Sequence, residues 1–212
     1  MNTFLESQNW RYATKKFDAT KKISESNLDN LKEAIRLTSS SYGLQPYQIL
    51  IIENPEVRAK LQPASWGQSQ ITEASHLIVF ANYTKIDNDY IDAFFKNICE
   101  TRNMPIDPLL GYKEFMTDAI NKKSSEEINI WNQKQTYLAL GNLLNAAADL
   151  KIDACPMEGF DPKQYNEILG LDKLNLNAAL VATIGYRSDE DATQHFKKVR
   201  KSNKDLFITI NN

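Results

Sequence analysis

Four short stretches carry the residues that could do chemistry. Arg11-Tyr12-Ala13-Thr14-Lys15-Lys16 packs three cations into six residues. It lacks the steady apolar period of a helix and is too basic for a buried strand. A second basic run, Lys197-Lys198-Val199-Arg200-Lys201, lies near the other end of the chain. Arg offers a bidentate fork and Lys a point charge, so the two runs, if folding joins them, make a phosphate site. Taken alone, each also fits a solvated loop. Thr38-Ser39-Ser40-Ser41-Tyr42-Gly43 offers hydroxyls and backbone N–H groups, either to a polar ligand or only to close a helix. In Cys155-Pro156-Met157-Glu158-Gly159-Phe160, Pro and Gly bracket an acid within an otherwise apolar segment.

The usual self-sufficient catalytic sets are missing. There is no G-x-S-x-G, no H-E-x-x-H, no P-loop and no G-x-G-x-x-G. His76 and His195 stand alone, as do Cys99 and Cys155, so neither a triad nor a metal site is expected. His76 reads as a strand-edge histidine, His195 as a solvated one, and Cys99 as core or near-core. No protein side chain is assigned as the catalyst; in an enzyme, a cofactor would carry the reaction.

These stretches need elements to position them. Residues 2–9 read as a short helix with Phe4 and Leu5. Ser24 caps a helix over 25–38 with Leu28, Leu31 and Ile35 on one face. Residues 49–52 read as a buried strand, and Asn54-Pro55 opens a helix through Leu61. Residues 66–70 form a polar loop or helix start, and 76–81 a second strand. A helix over 88–102 precedes Pro105 and Pro108, and another over 111–121 carries Phe115 and Met116. That pair is either a flap over a site or a satellite packed on the body. Ser124 to Glu127 is a capping box for the longest helix, reaching Leu150. Its apolar face takes Ile128, Trp131, Leu138, Leu143, Ala146, Ala147 and Leu150, while Gln135 and Asn142 need polar partners. Asp161-Pro162 opens a helix to Leu169, stopped by Gly170. Residues 178–185 are a third strand, and 206–210 end the chain in a strand pattern. A helix-rich mixture with three or four strands predicts one α+β domain over residues 1–212.

Composition is ordinary: 212 residues, 42% hydrophobic and 25% charged, enough for a real core. A net charge of −2 argues against a general nucleic-acid binder. No stretch approaches the roughly 18 apolar residues of a membrane span, and the first residues lack a signal-peptide pattern. The expectation is a cytoplasmic protein with free thiols and no membrane partner.

The order of the motifs carries a resemblance. Arg11-Tyr12-Ala13-Thr14-Lys15-Lys16-Phe17-Asp18 resembles the opening motif of the FMN-dependent nitroreductase family, of the oxygen-insensitive NAD(P)H nitroreductase and dihydropteridine reductase type. Ser40 to Tyr47 is similar to its serine-rich turn and Gln-Pro-aromatic segment. Lys134-Gln135-Thr136-Tyr137-Leu138 with Gly141-Asn142 resembles its central helix. Cys155 to Phe160 resembles its Pro-x-Glu-Gly-Phe segment, and Lys198-Val199-Arg200 its C-terminal Lys-x-Arg. One such motif is weak; five in order span nearly the whole chain.

The resemblance implies helices around a small mixed sheet completed by a partner's C-terminal strand, and a homodimer with two FMN sites at its interface. Arg11, Lys198 and Arg200 would hold the FMN phosphate, beside Tyr12 and Ala13. Lys15 would lie near the pyrimidine edge and tune the flavin; Lys16 would face solvent. Ser40, Ser41, Gly43 and Leu44 would come from the partner subunit, with Gln135 close by. Pro156, Met157, Glu158 and Gly159 would pack along the ring, and Phe115 would meet substrate on a mobile flap. Gly67 and Gln70 would stand at the flavin edge where the family often has Asn and Lys, and Gly43 replaces another frequent Asn. The implied activity is ping-pong hydride transfer from NADH or NADPH to nitroaromatics, quinones or similar small acceptors. The alternatives are a related reductase of enones, pteridines or halogenated aromatics, or a flavin-binding protein without turnover.

Overall fold

The computed structural model describes residues 3–211. Its centre is a sheet of four strands in the order β1-β2-β4-β3: β1 (Tyr47–Ile52), β2 (His76–Tyr83), β3 (Asp153–Met157) and β4 (Leu176–Gly185). All three pairings are antiparallel, which corrects the mixed sheet implied by the resemblance. The isolated Ala13–Ala154 bridge supplies the parallel contact among the described residues. β3 falls where the sequence predicts no strand, in the apolar segment whose acid Pro and Gly bracket. It is an edge strand, where Pro costs no ladder bond to a second neighbour.

Two-residue periodicity splits the strands between two cores. Leu77, Val79, Ala81, Cys155, Met157 and Val181 face one side, under α3 (Pro55–Ala64), α4 (Gln70–Glu73) and α8 (Pro162–Leu169). Ile78, Phe80, Ala154, Leu180, Ala182 and Ile184 face the other, against α2 (Glu25–Arg36) and α7 (Ser125–Asp149). Arg58, fully buried on α3, donates to the carbonyls of Ile71, Ala74 and Ser75 at 2.7, 2.5 and 3.2 Å. That fork ties down the end of α4, the short helix that Gln70 opens.

The expected helix signals operate as written. The Ser124 hydroxyl accepts from the Glu127 N–H and the Glu127 carboxylate accepts from the Ser124 N–H, so α7 starts there. Asp161 caps α8, which ends at Gly170 with φ +67°. α1 (Thr3–Trp10) lies on α7, as does α2. α5 (Asn88–Arg102) and α6 (Leu110–Asn121) form a separate lobe around Ile91, Phe95, Met116 and Ile120. Leu138, expected in the core, is exposed on α7 together with Tyr137. The strand expected at 206–210 is replaced by one helical turn, α9 (Asn203–Leu206), capped by Ser202, and an unpaired exposed tail. A strand needs an edge to pair with, and within one chain this segment reaches none. No described helix is long and apolar enough to cross a membrane.

Candidate functional site

After α1 the chain runs as an extended thread from Arg11 to Phe17. Ala13 bridges β3 at Ala154, and Phe17 bridges Arg187 and is buried. Two buried carboxylates rivet this thread. Asp191 Oδ2 accepts from the Lys15 N–H at 2.8 Å, the Lys16 N–H at 3.2 Å and the Tyr12 hydroxyl at 2.9 Å. Asp191 Oδ1 accepts from the Thr193 N–H at 3.0 Å and its hydroxyl at 2.5 Å. Burial pushes the Asp191 pKa up, but the donors from Thr193, Lys15, Tyr12 and Lys16 outweigh it and hold it down at about 2. Asp153 pairs with Arg187, whose Nη2 lies 2.6 Å and Nε 2.8 Å from Oδ1. The Arg187 guanidinium stacks between the Trp10 and Tyr12 rings, 4.4 and 4.6 Å from their centroids. Lys16 faces solvent as expected, there pairing with Glu190.

The two basic runs meet. Arg11, Tyr12, Ala13, Pro156, Lys198 and Arg200 all line one cleft of about 480 Å³, and no carboxylate lines it. Arg11 is lowered from its usual pKa by burial and by Arg200. Lys198 is lowered by burial, then by Arg11 and Arg200. Lys198 Nζ donates to the Gln8 and Arg11 carbonyls, at the C-terminal end of α1 where helix carbonyls favour a cation. Arg11, Lys197, Lys198 and Arg200 share a cleft without a carboxylate, and a dianion placed among them would relieve the repulsion that Arg200 exerts on Arg11 and that both exert on Lys198. The donor set fits a phosphate.

A second group gathers on β3. The Cys155 thiol is pushed up by burial, while Lys15 and a hydrogen bond from Gln70 act against that rise. Lys15, on the thread, and Gln70, on α4, therefore both act on the Cys155 position of β3. Met157 turns its side chain into the core and leaves only its backbone for a ligand. Glu158 accepts from the Tyr137 hydroxyl at 2.6 Å, which helps push that phenol up to about 12, after burial. Gln68 donates to the Gly159 carbonyl at 2.8 Å. A Cβ at Gly159 would lie 2.9 Å from the exposed Trp66 ring, so any side chain there would have to displace that ring. Trp66 and Gly67 both have positive φ, +56° and +73°, which sharpens this turn over the β3 end.

The serine turn lies elsewhere. Gln135 Oε1 accepts from the Ser41 N–H at 2.9 Å, Ser40 Oγ accepts from the Gln45 N–H at 2.9 Å, and Gly43 has φ +79°. Leu44 is buried in the α5–α6 lobe, so only its backbone can meet a ligand. Gln135 and Asn145, which bonds Gln8 on α1, are ten residues apart on α7 and hence separated by roughly 15 Å along the axis. None of residues 40–44 lines the cation cleft. Tyr42 meets the rings of Tyr112 and Trp131 edge-on at 6.5 and 6.0 Å, and Phe115 is exposed on α6. His76 is buried with Nε2 3.4 Å from Glu53, and His195 is exposed. Cys99 is half-buried and Cys155 buried, both free.

Sequence reading missed Asp191, the Asp153–Arg187 pair, Gln68 and Trp66. One signal was present: the acidic run Asp189-Glu190-Asp191 complements the basic thread in charge.

Fold and cleft together define an α+β protein with a cation-lined cleft between its N-terminal thread and its C-terminal segment. The pattern of the nitroreductase family matches residues 9–186, and the chain belongs to that family. It is 35% identical over 212 residues to a Staphylococcus saprophyticus protein named a putative NAD(P)H nitroreductase, covering 96% of this chain and 95% of that one. It is 36% identical over 194 residues to a similarly named Bacillus subtilis protein, covering 86% and 88%. A crystal structure of a putative nitroreductase from Exiguobacterium sibiricum in complex with FMN has a TM-score of 0.84 at 22% identity, covering 98% and 97%. That likeness shows the shared fold.

Proposed function

We propose that this chain is a homodimeric, FMN-dependent NAD(P)H oxidoreductase that reduces nitroaromatics, quinones or similar small acceptors. The observation that carries the reading is the meeting of Arg11, Lys198 and Arg200 in a cleft without a carboxylate. Family membership and a solved relative in complex with FMN support it.

FMN, when bound, supplies the two-electron chemistry, alternating between a nicotinamide donor and an acceptor that use the same place. Arg11, Lys198 and Arg200 hold the phosphate. Lys15 would bring its positive charge to the ring from the thread beside β3, where it already acts on Cys155, and so favour negative charge there. Gln70 would lie near the same edge, and Gln68, donating to the Gly159 carbonyl, would hold the Gly159–Phe160 peptide beside the ring. Gly67, at φ +73°, lets the chain turn there without a side chain. Phe115 offers an aromatic face to the acceptor.

The separation of the serine turn from the cleft supports a site shared by two chains, with Ser40, Ser41, Gly43, Leu44 and Gln135 supplied by the partner. The outer edge of β1 is free, and a groove of about 440 Å³ beside it is lined by Ile35, Tyr47, Ile49 and Ile51. Phe207, Ile208 and Ile210 are exposed on the tail. Such a tail from a second copy would add a strand to that edge and bury these side chains.

The test is the visible spectrum of the purified protein. Bound FMN gives a yellow band that NADH or NADPH bleaches without oxygen and an acceptor restores. A protein that binds FMN but never bleaches would be a flavin carrier, and one that binds none would end the proposal.

A further inference from the structure

We infer that Asp191 is a positioning residue that sets Lys15 and the C-terminal cations in register, so that FMN affinity and the effect of Lys15 both pass through this one carboxylate. The inference rests on the FMN reading above.

An Asp that caps a turn needs one oxygen. Oδ1 does that work, accepting from the Thr193 N–H and hydroxyl at the start of the turn Ala192–His195. Oδ2 is engaged differently. It collects three donors lying 175 to 179 residues earlier, those of Tyr12, Lys15 and Lys16. The carboxylate is 3% exposed, and both oxygens are used. Its neighbour Glu190 pairs with Lys16 at the surface, and Asp189 is exposed.

The consequence for Lys15 is specific. Its own N–H and that of Lys16 are both fixed on Oδ2, so the backbone on either side of its Cα cannot swing. Only side-chain torsions remain to the ammonium, which acts on the β3 segment at Cys155. Preorganised charge of this kind is lost when its support loosens. On the other side, Thr193 is five residues before Lys198, so the same carboxylate fixes where the C-terminal cations begin. The Asp153–Arg187 pair supports Trp10 and Tyr12 by stacking and touches no backbone amide of Lys15 or Lys16.

Asp191→Asn keeps the shape but turns one oxygen into an NH₂ donor. Whichever way the amide lies, it faces donors on one side, the thread or the turn. FMN titration by fluorescence quenching should show affinity lowered about tenfold, the effect of losing about one charge-assisted bond. Anaerobic stopped-flow bleaching by NADH, at saturating FMN, then tests the route. If Asp191 acts through Lys15, Lys15→Ala/Asp191→Asn bleaches no more slowly than Lys15→Ala alone. If Asp191 is merely structural, the two losses multiply. Multiplied losses, or wild-type FMN affinity in Asp191→Asn, overturn the inference. Tyr12→Phe and Thr193→Val each delete one donor to the same carboxylate without changing charge. They carry the same test, with roughly threefold effects, if Asp191→Asn does not fold. Failure of the FMN reading shows separately, as no FMN uptake by the wild-type protein.

Discussion

The cation cleft and the serine turn are built in opposite ways. The cleft is walled by an extended thread with ordinary backbone, riveted by two carboxylates that are 3% and 4% exposed. The turn stores strain instead: Tyr42, Gly43 and Gln45 have φ of +59°, +79° and +46°. A left-handed conformation costs a non-glycine residue about 1 kcal/mol or more. It is held by the Gln135–Ser41 bond and by rings meeting edge-on, each such pair worth roughly 0.5–1.5 kcal/mol. The difference follows what each side must do under the proposed function. A phosphate is always anionic and keeps one shape, so cations held in place suit it. The ring side must admit a nicotinamide and then an acceptor, and adaptable aromatic contacts on a separate lobe suit that.

The largest effect should come from the cleft. Arg200→Ala is expected to weaken FMN binding by roughly 10- to 100-fold, the range for a hydrogen bond to a charged group. KM for an acceptor at saturating FMN should stay within about twofold, because the ring side is untouched. Equal loss on both would erase the distinction between the two regions. Next, deleting residues 203–212 should turn a dimer into a monomer in sedimentation at micromolar concentration. The monomer should keep weak FMN binding through its own cleft. A truncated protein that remains dimeric would refute the tail's role. A smaller change is expected for Tyr42→Ala, which removes the ring meeting Tyr112 and Trp131. Acceptor KM should rise roughly three- to tenfold while FMN affinity holds, by the energy of one or two aromatic pairs.

Legibility in the sequence divides along similar lines. Local signals were readable: the Ser124–Glu127 box, the Asp161-Pro162 start and the long apolar run of β2 each depend on residues a few positions apart. Both basic runs were visible as charge, but their meeting was not, because Arg11 and Lys198 are joined only by folding. Asp191 escaped notice for the same reason: its three key donors lie at the far end of the chain. β3 was hidden by Pro156, whose meaning depends on the strand being an edge. The tail at 206–210 has strand-like residues without a strand, because pairing needs an edge from elsewhere. Trp66 looked like part of a polar loop, and only the missing Cβ at Gly159 reveals what it covers.

The finest test of the contrast uses proton linkage at Lys198. Its pKa is lowered, by burial first and then by Arg11 and Arg200, so it loses its charge at a lower pH than a free lysine. In the protein without FMN, the charged form is the disfavoured one. Stability is therefore held down below the lowered pKa and recovers as pH rises from there toward the ordinary lysine value. Anion binding runs the other way, being strongest while Lys198 is charged and fading as pH climbs through its lowered pKa. FMN affinity should thus fall by less than about tenfold as pH rises through the lowered Lys198 pKa toward the ordinary lysine value, one of the cleft's cations being lost. Lys198→Arg replaces it with a group that stays charged across this range, so the alkaline decline should flatten. Tyr42→Ala should leave that decline unchanged, because the serine turn contributes no titrating group to the phosphate end. An unchanged decline in Lys198→Arg would mean that Lys198 does not hold the anion, and that the cleft relies on Arg11, Arg200 and Lys197.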